Sequence, residues 1–248
     1  MASDMDVPPT IKSRLLREFF RSSAEAYSGG WGLGCFSDEG PLVFKEPIKA
    51  SDSFALPGAV RRAETGFVMA HVRNPTAGDK SVLNTHPLQK EGWLFSHNGT
   101  LGDPHSMRAK LLERYSDSLH GGTDSEIMFH YLLQWIEQTG QAEAGVLVAI
   151  RDMCRDQSDG TTPLNFAPTD GNVLFAFRKA FINDEKYSMN FASLDSLGLV
   201  GGENGFRDHG ASGATVVSSD PFTPGEWSGL EMGDVLIAKA DGRRIVRM

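Results

Sequence analysis

Residues 93–101, Trp-Leu-Phe-Ser-His-Asn-Gly-Thr-Leu, admit three incompatible readings. An apolar run ending in Asn-Gly is a strong hairpin signal, because both residues tolerate the positive φ of a tight β-turn. Asn98-Gly99-Thr100 is also an N-glycosylation acceptor in a secreted chain. Finally, the Asn98 side-chain amide and the Gly99 N–H could be aimed at one point, which is how enzymes stabilise an oxyanion. The rest of the chain has to choose between them.

The glycosylation reading weakens first. The opening residues, MASDMDVPPT, are acidic and lack the basic-then-apolar order of a signal peptide. No apolar run approaches the ~20 residues of a membrane span. A cytoplasmic protein is therefore expected. The two cysteines, Cys35 and Cys154, are too few for a disulfide framework and form no C-x-x-C. The formal net charge of −8 argues against nucleic-acid and anionic-membrane partners. A chain of 248 residues can bury a self-sufficient core, and one domain over 1–248 is expected.

The pattern around the opening stretch alternates helix and strand signals. Ile11, Leu15, Leu16, Phe19 and Phe20 share one helical face after VPPT. WGLGCF and PLVFKE read as strands turning at SDEG, and GFVMAHV (66–72) and GWLFSH (92–97) as two more. The Pro/Gly/Asn-rich segment between the latter two is long for a mere connection, and such loops often carry function. Residues 104–117 look helical. The clearest helix follows GGTDSE and ends at Gly140, with Ile127, Met128, Tyr131, Leu132 and Trp135 as its stripe. AEAGVLVAIRDMC reads as a second helix. LNFAPT, NVLFAFR, ATVVSS and a C-terminal hairpin with Asp241-Gly242 at its turn then read as strands. Residues 181–213 read as irregular. The order points to an α+β fold with a largely antiparallel sheet.

Several chemistries fail on spacing. His71, His86 and His97 sit near strand ends but at no metal-ligand spacing, so no metal is expected. No G-x-S-x-G is present, and GGWGLG precedes a strand instead of linking strand to helix, so neither a serine hydrolase nor a dinucleotide site is expected. In TDSE (123–126), Thr123 can cap the helix while Glu126 reaches back. That leaves the carboxylate of Asp124 free for a ligand's ammonium group. Arg73 at the end of AHVR is either a solvated strand-end residue or a carboxylate clamp. Asn84 and His86 in NTHP are candidate turn residues. Each bland reading wins alone. Together, a cation for a carboxylate, an acid for an ammonium and an amide pair for an oxyanion match an α-amino acid whose side-chain amide is hydrolysed.

The ordered blocks GWG, AHVRNPTAG, NTHPL, WLFSHNGTL and GGTDSE resemble the class II glutamine amidotransferases, a group of N-terminal-nucleophile hydrolases. The likeness is greatest to the stand-alone branch carrying DGWG, AHVR, NTHPF and AHNG, and it covers nearly the whole chain. It implies a four-layer αββα sandwich with two stacked antiparallel sheets. It also implies that Arg73 binds a glutamine α-carboxylate and Asp124 the α-ammonium, that Thr76 and His86 line the pocket, and that Asn98 and Gly99 form the oxyanion hole. The expected ligand is glutamine or a γ-glutamyl compound, with no cofactor. With no ammonia-accepting domain in the sequence, a synthase partner is one expectation and simple amide hydrolysis the other.

The chain departs from the family at its start. There the nucleophile is an N-terminal cysteine whose own α-amino group acts as base. Here residue 2 is Ala, Ser3 is not terminal, and the amine of Cys35 is tied up in a peptide bond. Gly29 stands where the family has an acid before GWG. Three explanations follow: a chain that enters after the family's first strand, a pseudoenzyme that keeps the binding groups without the nucleophile, or a nucleophile supplied by Ser3 or a partner.

Overall fold

The computed structural model describes residues 2–3, 7–23, 27–63, 67–74, 78–156, 163–180, 187–199 and 214–248. The elements in the first half are β1 (Ala2–Ser3), α1 (Pro9–Ser23), β2 (Trp31–Ser37), β3 (Gly40–Glu46), α2 (Leu56–Arg62), β4 (Val68–Val72), β5 (Leu88–Lys90) and β6 (Trp93–Gly99). Helices α3 (Pro104–Ala109), α4 (Glu113–Ser116), α5 (Asp124–Thr139) and α6 (Ala142–Asp156) follow. The remaining strands are β7 (Leu164–Thr169), β8 (Val173–Phe177), β9 (Asn190–Ser193), β10 (Thr215–Ser218), β11 (Ser228–Gly229), β12 (Asp234–Lys239) and β13 (Gly242–Arg247).

The strands form two antiparallel sheets. One runs β11-β9-β10-β1-β4-β2-β3, the other β13-β12-β8-β7-β6-β5. Alternation along each strand sends one set of side chains to a helix layer and the other between the sheets. Val68 and Ala70 of β4, with Trp31, Leu33 and Cys35 of β2, pack against Leu16, Phe19 and Phe20 of α1. On the other side Phe95, Phe166, Phe175 and Phe177 pack against Met128, Phe129 and Leu132 of α5 and Val146 and Ile150 of α6. The Phe95 and Phe129 rings stack 5.1 Å apart at 8°. Between the sheets lie Leu174, Ala176, Leu236 and Ala238 against Met189 and Val217. The architecture is a four-layer αββα sandwich.

The inner face of β2 is bare at its start. Its outward positions are large, while Gly30 just before the strand, Gly32 and Gly34 point inward, and the 84–88 segment with Leu94 fills the space they leave. A Cβ on Gly32 would lie 2.0 Å from the His86 carbonyl oxygen, and one on Gly34 would lie 2.9 Å from the Pro87 ring. Lys45, opposite Gly32 in the β2–β3 register, donates from Nζ to the carbonyls of Thr85 (2.8 Å) and Pro87 (3.3 Å). The His86-Pro87 bond is cis. The glycine-dense run is thus the seat for a buried loop.

Several expectations change. Residues 104–117 form two short helices, α3 and α4, broken at 110–112. Part of the segment read as irregular is strand β9, and residues 181–186 and 200–213 lie outside the described residues. The Asn98-Gly99 pair makes no hairpin turn. Asn98 opposes Asn165 and Gly99 opposes Leu164 as the last rungs of the β6–β7 ladder. Glycine is needed there because the Pro163 carbonyl oxygen lies 2.1 Å from where a Cβ would stand. In the C-terminal hairpin Lys239 pairs with Gly242, so Ala240 and Asp241 make the turn. At the N-terminus β1 lies between β4 and β10: Ala2 pairs with Met69 and Val217, and Ser3 with Val68.

Gly32→Ala should lower stability by at least the ~1–3 kcal/mol typical of overpacking. Gly122→Ala, where no atom lies within 4 Å of the added Cβ, should leave stability nearly unchanged. Thermal denaturation of both variants checks this, and equal melting temperatures would refute the role of the glycine face.

Candidate functional site

A cavity of about 460 Å³ opens between the sheets at the ends of β4, β6 and β10. Each wall brings a polar group. The end of β4 supplies His71 and Arg73, the 84–88 segment supplies Asn84 and His86, β6 supplies His97, Asn98 and Gly99, and the first turn of α5 supplies Asp124 and Ser125. The structure therefore brings together Arg73, His86, Asn98, Gly99 and Asp124, five of the six residues marked in the sequence. The sixth, Thr76, lies outside the described residues.

Arg73 is not a solvated strand-end residue. It is 5% exposed. Its Nη1 donates to the Asp79 carbonyl at 2.8 Å, and its Nη2 to the Gly78 carbonyl at 3.4 Å. Its backbone is fixed as well, the N–H donating to Gly30 O and the carbonyl accepting from Gly29 N. Asn84 ties the same loop to α5: Nδ2 donates to the Asp79 carboxylate at 2.6 Å, and Oδ1 accepts from Gly122 N at 2.9 Å. Both ends of Asn84 are thus committed to holding the wall in place.

The entry to α5 differs in detail from a capping box. Thr123 accepts from Glu126 N as a cap should. The Glu126 carboxylate, however, passes beyond the Thr123 backbone to accept from His120 N and Gly121 N, at 2.9 and 2.8 Å. Asp124 is buried, and one of its oxygens accepts from Leu101 N. Asp124 therefore has one oxygen spoken for, where the sequence reading left the whole carboxylate free. Its place in the first turn sets this carboxylate at the positive end of the helix dipole.

Three histidines line the cavity. Among the described residues no group of three or more His, Cys, Asp or Glu is placed to hold a metal ion. The His71 and His86 rings meet edge to face with centroids 4.7 Å apart. Both ring nitrogens of His86, and Nδ1 of His71, are buried without a hydrogen-bond partner. Burial holds His71 down to about 3 and His86 well below its ordinary value, so both are neutral near pH 7. Burial lowers His97 too, with Asp124 pulling the other way. His97 Nδ1 lies 3.0 Å from Ser125 Oγ and Nε2 lies 3.3 Å from the Pro163 carbonyl. In the neutral ring this assigns the proton to Nε2, with Ser125 donating to Nδ1. Asn98 Nδ2 donates to Ser219 Oγ at 3.2 Å.

Metal-ligand spacing gives no signal for His71 and His97, although both stand inside the quoted motifs and line the cavity. Ser125, Asn165 and Ser219 line it too, and no motif marks them as site residues. Ser219 meets Asn98 across 121 residues, a contact no local pattern announces. Cys35 is fully buried under α1, away from the cavity, and burial raises its thiol pKa.

The model of the glutamine amidotransferases class-II family matches residues 1–246. The chain belongs to this family. An uncharacterized protein of Methanocaldococcus jannaschii is 27% identical over 249 residues, which cover 89% of this chain and 63% of that one. This amidotransferase-family chain thus spans less than two thirds of that relative's length. The fold matches a glutamine aminotransferase class-II domain protein from Silicibacter pomeroyi, with a TM-score of 0.63 at 21% identity over 88% of this chain and 90% of that one. It also matches glutamine phosphoribosylpyrophosphate amidotransferase from Bacillus subtilis, with a TM-score of 0.69 at 16% identity over 99% of this chain and 48% of that one.

The buried histidines make stability depend on pH. A base whose folded pKa lies below its unfolded value of ~6.5 binds fewer protons folded than unfolded. Stability is then complete above that value and is lost as pH falls toward the folded pKa. Urea unfolding free energy should therefore fall between pH 6.5 and 5, with a shallower slope in His71→Phe. Parallel slopes for the two proteins would refute the assignment of a buried neutral His71.

Proposed function

We propose that residues 1–248 form one amidotransferase-type domain that binds glutamine or a γ-glutamyl amide. The supporting observation is a buried guanidinium, Arg73, and a buried carboxylate, Asp124, lining the same cavity as the Asn98 amide. In this reading Arg73 takes the α-carboxylate, Asp124 the α-ammonium, and Asn98 with the Gly99 N–H receives the amide oxygen. His86 lines the pocket, and the family resemblance assigns Thr76 to it as well. The unpartnered nitrogens of His86 favour a polar ligand group there, since buried polar atoms are rarely left unsatisfied. No helix among the described residues is long and apolar enough to cross a membrane. We take the chain to act in the cytoplasm, on a small molecule, without a cofactor.

Amide hydrolysis through this site needs a nucleophile, and residue 2 is Ala. Two readings remain. In the first, the domain is an amide hydrolase or ammonia-supplying amidotransferase when a cysteine stands at the start of β1, alone or with a synthase partner. In the second, the domain as given binds a γ-glutamyl ligand as a sensor or subunit. The pairing of Ala2 with Met69 and Val217, both cavity-lining, supports position 2 as the place where a nucleophile would act.

The chain as given should bind glutamine or a γ-glutamyl compound without turnover, and Arg73→Ala should weaken binding by at least ~tenfold, as expected on losing a desolvated charge partner. Calorimetric titration measures both, and unchanged affinity in Arg73→Ala would sink the substrate assignment. The variant Ala2→Cys, with Met1 removed, separates the two functions. Glutaminase turnover that falls roughly 10²–10³-fold on adding Asn98→Ala supports the enzyme. Tight binding without turnover supports the binding module.

A further inference from the structure

The cavity has a second end that glutamine does not use. From Asn98 its wall continues through Ser219, whose hydroxyl accepts from the Asn98 amide at 3.2 Å. Three residues later the chain reaches Phe222, at most about 11 Å away along an extended backbone. The Phe222 ring lies edge to face with Phe19 (5.7 Å, 83°) and 5.6 Å from Trp227. Pro221 adjoins Phe222 in the chain, and Tyr27 also lines the cavity. This end is an apolar, aromatic wall held by ring contacts, one short step from the amide that would receive a scissile carbonyl oxygen.

The charges are as uneven as the surfaces. Among the described residues lining the cavity, Arg73 is the one lysine or arginine, and it stands with the polar groups. Asp220 at the aromatic end is exposed, with an oxygen 3.4 Å from the Ser188 hydroxyl. A ligand with a second carboxylate beyond its amide nitrogen would meet this aspartate and, among the described residues lining the cavity, no second cation. Desolvating that carboxylate unpaired is costly. An uncharged apolar group there would instead be buried against aromatic rings.

We propose that the ligand is a γ-glutamyl amide whose nitrogen carries an uncharged apolar group of aromatic-ring size, seated against Phe19, Tyr27, Pro221 and Phe222. This rests on the γ-glutamyl reading above and narrows it, against both free glutamine and γ-glutamyl peptides. The part of the ligand beyond the amide nitrogen lies away from Arg73 and Asp124 and follows the Ser219–Phe222 wall.

The test uses the full chain and three probes in calorimetric titration: L-glutamine, γ-L-glutamyl-glycine and γ-L-glutamyl-phenethylamide. The phenethylamide should bind at least about tenfold tighter than glutamine, as burial of a ring predicts. γ-Glutamyl-glycine should bind no tighter than glutamine. Phe222→Ala and Tyr27→Ala should each remove most of the gain while leaving glutamine affinity unchanged, which also reports that the variants are folded. The proposal is overturned if the phenethylamide binds no better than glutamine, if its advantage survives both substitutions, or if γ-glutamyl-glycine binds best. In those cases glutamine binding still upholds the γ-glutamyl reading. Failure of all three probes to bind removes both.

Discussion

The glycine face of β2 is the constraint on which the site depends. Two sheets normally keep side chains from both inner faces between them, about 10 Å apart. At Gly30, Gly32 and Gly34 one sheet contributes no side chains; the His86 backbone takes the place at Gly32, the Thr85 side chain that at Gly30, and the Leu94 and Pro87 side chains that at Gly34. A backbone brought indoors carries carbonyls that need donors. The Lys45 ammonium answers two of them, although burial lowers its pKa to about 8. From this seat the rest is arranged. His86 is presented to the cavity, Asn84 spans from Asp79 to the α5 entry, and the Gly78–Asp79 carbonyls hold Arg73. A Cβ on Gly32 would push on all of these through one carbonyl oxygen.

The site is built against the preference of polar groups for water. A guanidinium, a carboxylate and the imidazoles of His86 and His97 are buried in one region, beside the half-buried His71. The two charged groups are compensated by fixed backbone partners, Arg73 by loop carbonyls and Asp124 by the Leu101 N–H. The histidines are accommodated by staying neutral. His97 is fully engaged, whereas His86 keeps two buried nitrogens unpartnered. Such groups cost free energy in a fold and are retained where they serve a ligand. The opposite end of the cavity has the reverse character, with aromatic rings and no described cation.

Much of this was legible in the sequence, and for identifiable reasons. α5 announces itself through Thr123 at its start, an apolar stripe and Gly140 in the left-handed conformation at its end. β2 and β3 are legible from alternation around a turn. The break between α3 and α4 was not, because Gln134 of α5 creates it by accepting from Leu112 N and donating to Lys110 O. Strand β9 was hidden in a stretch of weak local preference and exists because β10 and β11 pair with it. Asn98-Gly99 looked like a turn because its local chemistry fits one, and the ladder to Asn165 and Leu164 overrides that preference.

By itself the sequence determined most of the element types and the α+β class, since these follow from periodicity and caps, while the sandwich and the expected site residues came from the resemblance carried by its ordered motifs. It also determined that residue 2 carries no nucleophile. Only the tertiary structure decided that Arg73 is buried, that Asp124 has one oxygen engaged, that the glycine run seats a loop, and that Ser219 and Phe222 continue the wall beyond Asn98. The physical reason is separation along the chain. Contacts such as Asn98 with Ser219, 121 residues apart, leave no trace in any local window and arise only when both sheets have closed on each other.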